Sequence, residues 1–110
     1  MKVFISLPMN GKTDKEIKET QDKAIKAIKS IYNTDDVEKI ESFLDTEAPE
    51  GLKEPGLWYL GESIKLLADA DLAVFVEGWS LARGCIVEYE ACKKYGIDTY
   101  YLPEEIIKYE

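Results

Sequence analysis

The sequence of 110 residues contains no histidine, only two cysteines and a single arginine. Without histidine, the chain cannot form a Ser–His or Cys–His nucleophile pair. A zinc site would require carboxylates and thiolates in an unusual combination. Acid–base chemistry would therefore depend on carboxylates, tyrosine, lysine or water, and we expect neither a metal nor another cofactor.

The two cysteines, Cys85 and Cys92, are seven residues apart within a segment of helical character. On one helix this spacing separates their Cα atoms by roughly 10 Å, whereas a disulfide requires less than about 7 Å. We therefore expect both side chains to be unbridged and to behave as small buried hydrophobic groups.

Long apolar runs and an excess of basic residues are also absent. No segment approaches the roughly 20 apolar residues that span a bilayer, and the N-terminal "MKVFIS" lacks the features of a signal peptide. The net charge is −8, from 22 acidic and 14 basic residues, which disfavours duplex nucleic acid and anionic membranes. We expect a cytoplasmic protein that acts on a small molecule.

Strand and helix patterns alternate along a chain that is 45% hydrophobic and 33% charged, as in one globular domain spanning 1–110. This alternation predicts an α/β fold, a small flavodoxin- or Rossmann-like three-layer sandwich with a parallel sheet of about four to five strands. A terminal helical turn is expected near the C-terminus. The predicted strands are Lys2–Ser6, Val37–Leu44, Asp71–Val76 and Thr99–Leu102, and the predicted helices are Asp14–Tyr32, Leu57–Ala68 and a third within Gly78–Ile97.

Ligands of such folds bind at the carboxyl ends of the strands, which here carry the segments "LPMNGK" and "EGWSLARG". The first contains Pro8, Met9, Asn10 and Gly11, and a glycine turn after a strand exposes backbone amides that could bind an anion. It matches neither the phosphate-loop pattern nor the dinucleotide-binding pattern.

The helix in "GWSLARGCIVEYEACKKYGI" places one carboxylate on its apolar side. At about 100° per residue, six residues fall within roughly 60° of Glu88. Burying a carboxylate is costly unless it is paired or functional, so Glu88 is either a site residue or a glutamate at the helix edge that reaches solvent. The six neighbours on the wheel are Leu81, Gly84, Cys85, Ala91, Cys92 and Tyr95.

The start of this helix is a candidate anion site. Ser80 is a plausible N-cap, and Arg83, the single arginine, precedes Gly84 where free N–H groups and the helix dipole favour a phosphate. Arg83 could equally be a surface residue paired with an acid. Trp79 could stack on a nucleobase or simply pack its loop.

With these motifs, the chain resembles the nucleoside 2-deoxyribosyltransferase superfamily, which includes the 2′-deoxynucleoside 5′-phosphate N-hydrolases. It is most similar to a short phage and bacterial branch. The resemblance covers nearly the whole chain, and its marks are the segments "FISLPMNG", "ADADLAVFVEGW" and "ARGCIVEYEACKKYGI". The resemblance implies that Glu88 is a nucleophile that attacks the anomeric carbon, and that Gly84, Cys85 and Arg83 contact a 5′-phosphate. It also implies a homodimer or a higher homo-oligomer, for which the C-terminal "YYLPEEIIKYE" is a candidate contact.

Two positions depart from the family pattern. The hydrolases hold the 5′-phosphate with a serine and a glycine at the start of this third helix; Gly84 matches the glycine, but Ala82 stands at the serine position, so Arg83 would have to supply the lost interaction. The superfamily carries an aspartate eight residues before Asp71, where this chain has Ser63. Because that carboxylate assists the sugar site and the departing base, Ser63 bears on catalysis more than on the fold. Three hypotheses follow: an N-glycosidase or deoxyribosyltransferase acting on a nucleotide, a nucleotide-binding module with little turnover, and a structural protein with an empty site.

Overall fold

The computed structural model describes residues 1–41 and 47–109. Strands and helices alternate, as the sequence predicts, and a short 3₁₀ helix, Trp79–Leu81, precedes the third α-helix. The strands are β1 (Lys2–Ser6), β2 (Glu38–Lys39), β3 (Leu72–Val76) and β4 (Asp98–Leu102); the helices are α1 (Asp14–Ile31), α2 (Pro55–Leu67), α3 (Arg83–Tyr95) and α4 (Glu104–Ile107). None of the helices described is long and apolar enough to cross a membrane.

The four strands form one parallel sheet in the order β2-β1-β3-β4. The predicted α/β class is therefore confirmed. From β1 the chain continues to β2 at one edge of the sheet, and from β3 it continues to β4 at the other edge. The strand order therefore reverses between the two central strands, β1 and β3. In open α/β sheets this reversal opens a crevice at the carboxyl ends of the strands, where ligands bind. The loops that follow β1 and β3 border that crevice.

Alternating side chains of the central strands divide the core into two layers. Val3, Ile5 and Leu7 pack against α1 and the buried Ile107 of α4, whereas Phe4 packs against α2 and α3 through Leu67 and Cys92. Every residue of β3 is buried, as expected for a central strand covered on both faces. The helices therefore cover both faces of the sheet, and α2 and α3 cover the face toward which Phe4 and Ser6 point.

Several boundaries depend on local chemistry that the sequence displays. The capping box at the start of α1 is confirmed, because the Thr13 hydroxyl accepts the Glu16 N–H while the Glu16 carboxylate accepts the Thr13 N–H. Helix α2 begins at Pro55, two residues before the predicted start, because proline suits the first helical turn.

The predicted strand Val37–Leu44 is longer than the observed one. Only Glu38 and Lys39 form β2, opposite Lys2 and Val3 of β1. The last part of the prediction, Ser42–Leu44, lies outside the described residues.

The predicted N-cap Ser80 is wrong. Gly78 has a φ of +94° and turns the chain into the 3₁₀ helix that contains Ser80. Ala82, in an extended conformation, is the residue before α3. Because alanine has no side-chain acceptor, no side chain caps the first turn of this helix.

Candidate active site at the carboxyl edge of the sheet

A pocket of about 920 Å³ opens at the carboxyl edge of the sheet, between the loops after β1 and β3 and the first turns of α2 and α3. The two loops meet where a Cβ on Gly78 would lie 3.3 Å from Cγ of Pro8. A side chain at this position would crowd Pro8 and would strain the backbone, because the φ of Gly78 is positive. The residues that line the pocket are Leu7, Pro8, Met9, Asn10, Lys12, Gly56, Tyr59, Leu60, Ser63, Glu77, Gly78, Leu81, Ala82, Arg83, Gly84, Cys85 and Glu88.

Glu88 is the buried acid of this pocket. It is 7% exposed and lies on the face of α3 that packs against the sheet, as the helical wheel predicts. The Ser6 hydroxyl, at the end of β1, donates a hydrogen bond of 2.7 Å to Oε1 of Glu88. A charge-assisted hydrogen bond of this length fixes the orientation of the carboxyl group, so Glu88 is both buried and positioned.

Burial raises the pKa of Glu88 from 4.5 to about 7, even though the Ser6 hydrogen bond opposes the change. Glu88 is therefore close to half ionised at neutral pH and can act as a carboxylate there. Burial also raises the pKa of the neighbouring Cys85 thiol and that of Cys92 to about 11. Both thiols stay protonated at neutral pH, which leaves Glu88 as the better nucleophile.

Ser6 was missed by the sequence analysis, although a signal for it exists. Val3, Ile5 and Leu7 alternate with Phe4 and Ser6 along β1, so Ser6 shares the face of Phe4. A lone hydroxyl at the carboxyl end of a buried strand, facing a helix that carries a buried acid, is a candidate partner for that acid. The sequence does not state that α3 packs over this particular strand end.

Two residues predicted to share the buried stripe with Glu88 are exposed. Leu81 is 91% exposed and Tyr95 is 85% exposed. Leu81 lies in the 3₁₀ helix, where a 100° wheel does not apply, and Tyr95 ends α3 beyond the sheet. Gly84 faces α2, and a Cβ there would make an ordinary van der Waals contact of 3.9 Å with Cδ1 of Leu60.

Arg83 lies between two helix N-termini. Its Nη2 atom would be 3.3 Å from a Cβ placed on Gly56 in the first turn of α2, while its own backbone begins α3. No side chain caps either helix, and Lys12 lines the same pocket. The mouth of the pocket therefore gathers two cations and two positive helix ends within a strongly acidic chain.

Trp79 is placed elsewhere. Its ring stacks on Tyr89 at a centroid distance of 4.5 Å and meets Phe75 edge to face at 5.4 Å. It is not among the described residues that line the Glu88 pocket, so the loop-packing alternative describes its position. Trp79 borders a separate groove of about 610 Å³ beside β4.

Of the remaining residues predicted to belong to the site, some line the Glu88 pocket and one lies beside it. Pro8, Met9 and Asn10 line the Glu88 pocket, whereas Gly11 forms the adjoining turn with a φ of +77° and is not among the described lining residues. Ser63 does line the pocket, on the α2 wall opposite Glu88.

Cys85 and Cys92 are both unbridged, as predicted. Within residues 1–41 and 47–109, no group of three or more histidine, cysteine, aspartate or glutamate side chains could hold a metal ion.

Comparison with known proteins identifies no relative: no family model, no curated protein and no solved structure matches the chain.

Proposed function

We propose that this protein binds a nucleoside or a nucleoside 5′-monophosphate in the Glu88 pocket and cleaves or transfers its N-glycosidic bond. The observation that carries the proposal is Glu88 itself, buried to 7% exposure and held by Ser6 at the strand-order reversal of the sheet. A carboxylate that is costly to bury and is aimed into a ligand-sized crevice is a candidate catalytic group.

The chemistry follows the two-step course of retaining carboxylate glycosidases. The ionised Glu88 attacks the anomeric carbon, the base departs, and a glycosyl ester of Glu88 forms. Water then releases the sugar, or a second base accepts it. Because the attacking form is the carboxylate and the pKa of Glu88 is raised to about 7, activity of the free protein should rise with pH through neutrality.

A 5′-phosphate would lie at the mouth of the pocket. Arg83 offers a planar fork of donors that suits phosphate, and Lys12 adds a second charge. The free backbone amides of Gly84 and Cys85 begin α3, where the helix dipole favours an anion. This arrangement distinguishes a nucleotide from a nucleoside by charge alone.

A nucleotide-binding module with little turnover is the second candidate function. Its support is Ser63, which lines the pocket where the resemblance expects an acid. A serine can hold a sugar hydroxyl but supplies no negative charge. Glu88 would then serve as an acceptor for the sugar rather than as a nucleophile.

We further propose that the protein acts in the cytoplasm as a homo-oligomer. Leu81 lines the pocket and is 91% exposed, and Leu57 at the start of α2 is 66% exposed. Where large exposed apolar side chains cluster, they mark a surface that a partner covers. The C-terminal segment is a second candidate contact, because Tyr101 and Tyr109 are exposed although Leu102 and Ile107 are buried in the chain's own core.

The test is incubation with a panel of nucleosides and 5′-monophosphates, followed by chromatography for free base. Release of base by the wild type, and its loss in Glu88→Gln, is the expected result. Stabilisation by a nucleotide without release of base would favour the binding module. Neither release nor stabilisation with any member of the panel would contradict both functions.

A further inference from the structure

Tyr59 has one hydrogen-bonding position engaged and one available. The Ala48 N–H, in the loop that leads into α2, donates to the Tyr59 hydroxyl oxygen at 2.9 Å. A phenol can also donate its own proton, and no described residue accepts it. The ring is half-buried and meets Trp58 edge to face at 5.1 Å. The hydroxyl is therefore held by packing and by Ala48, and within residues 1–41 and 47–109 no acceptor takes up its proton.

The Tyr59 side chain belongs to the pocket wall that faces Glu88. The α2 residues that line the pocket are Gly56, Tyr59, Leu60 and Ser63, which share one face of the helix by their spacing. Tyr59 lies one turn before Ser63 on this face, and both residues line the pocket.

Other proton donors of the pocket are less suited to the task. Ser63 has an alcohol, which is a poor acid, and the Arg83 guanidinium suits a phosphate rather than a leaving base. Glu77 already accepts hydrogen bonds from the Glu104 N–H and the Tyr101 hydroxyl. Lys12 is exposed, and no described residue fixes its ammonium group. The Cys85 thiol is also protonated, but it lies on α3 beside Glu88 and therefore on the nucleophile's side of the pocket. Tyrosine is an established general acid, and Tyr59 is held by Ala48 on the facing wall.

We propose that Tyr59 is the general acid of this pocket, donating its phenolic proton to the departing nucleobase while Glu88 attacks C1′; the proposal rests on the function proposed above. The C1′–O bond to Glu88 forms as the C1′–N bond breaks, and the bond electrons leave with the base. The base takes the Tyr59 proton, and the Ala48 N–H stabilises the resulting phenolate. Water then attacks C1′, returns a proton to Tyr59 and releases the Glu88 carboxylate.

The test compares Tyr59→Phe with the wild type on two substrates. The first is 2′-deoxyguanosine 5′-monophosphate, whose base needs a proton to leave readily. The second is its 7-methyl derivative, whose base is already cationic and leaves without one. Tyr59→Phe should lower kcat on the first substrate by about 10²-fold or more and change it by less than about threefold on the second. Tyr95→Phe, outside the pocket and 85% exposed, is the matched control.

The outcomes separate this role from the proposed function. Equal loss on both substrates would show that Tyr59 only anchors its loop, and would overturn the proposal. Wild-type cleavage of the methylated substrate alone would also overturn it, since the pocket would then contain a nucleophile but no working acid. Cleavage of neither substrate would overturn the proposed glycosidic chemistry, and the role of Tyr59 with it. Melting temperature and nucleotide affinity of Tyr59→Phe establish that the variant is folded.

Discussion

Replacing Glu88 with glutamine should stabilise the protein, and the gain should depend on pH. Burial raises the pKa of Glu88 from 4.5 to about 7. Since one pH unit corresponds to about 1.36 kcal/mol, ionising Glu88 costs on the order of 3 kcal/mol more in the folded protein than in the unfolded chain. Glutamine is neutral at every pH and keeps an oxygen that can accept a hydrogen bond from the Ser6 hydroxyl.

The sign of the pH dependence follows from the number of protons that Glu88 binds in the folded and the unfolded state. Below pH 4.5 the carboxyl group is protonated in both states and its ionisation costs nothing. Between about 4.5 and 7 the unfolded chain loses the proton while the folded protein retains it, so wild-type stability falls as pH rises. Above pH 7 Glu88 is ionised in the folded protein as well, and the full cost of burying its charge lowers the free energy of unfolding. The free energy of unfolding of Glu88→Gln relative to wild type should therefore increase by about 3 kcal/mol from pH 4.5 to pH 8.5.

The measurement is urea denaturation of both proteins across that pH range. Any constant cost of burying the glutamine amide cancels, because the prediction concerns the change with pH. Glu90→Gln removes the same charge from an exposed position on α3 and should show no such trend. Parallel curves for Glu88→Gln and wild type would refute the reasoning, because they would mean that the Glu88 carboxylate is as well solvated in the folded protein as in the unfolded chain.

Four further predictions concern the pocket. Ser6→Ala removes the hydrogen bond that favours the Glu88 carboxylate, so its pKa should rise further and the pH–rate profile for base release should move to higher pH. Arg83→Ala should weaken binding of a 5′-monophosphate by about 1.5–3 kcal/mol in calorimetry and barely change that of the matching nucleoside; equal losses would place the phosphate elsewhere. Ser63→Asp should raise base release by ~10²–10⁴-fold if wild-type turnover is slow, and Glu88→Gln should abolish the gain; a slower Ser63→Asp would mean that another acid serves this chain. Leu81→Ser should lower the mass measured by light scattering if this surface joins copies of the chain, and an unchanged oligomer would exclude it as the contact.

The fold class and the position of the acid could be predicted because each depends on local periodicity. The short β-branched and aromatic run in Lys2–Ser6 and the unbroken apolar run in β3 indicate buried strands covered by helices. The 3.6-residue period of α3 places Glu88 on the same side as Cys85 and Cys92, and all three are buried. Such patterns require only that each element bury its apolar side.

Tertiary structure alone decided what meets Glu88. The strand order brings the end of β1 beneath α3, so that Ser6, 82 residues away in sequence, becomes the donor to the carboxylate. The same packing sends Trp79 to the aromatic cluster with Tyr89, although its sequence position beside the site suggested a role in base binding. A periodic pattern defines which side of an element is buried. It does not define which neighbour covers that side, because pairing between distant segments depends on the whole core.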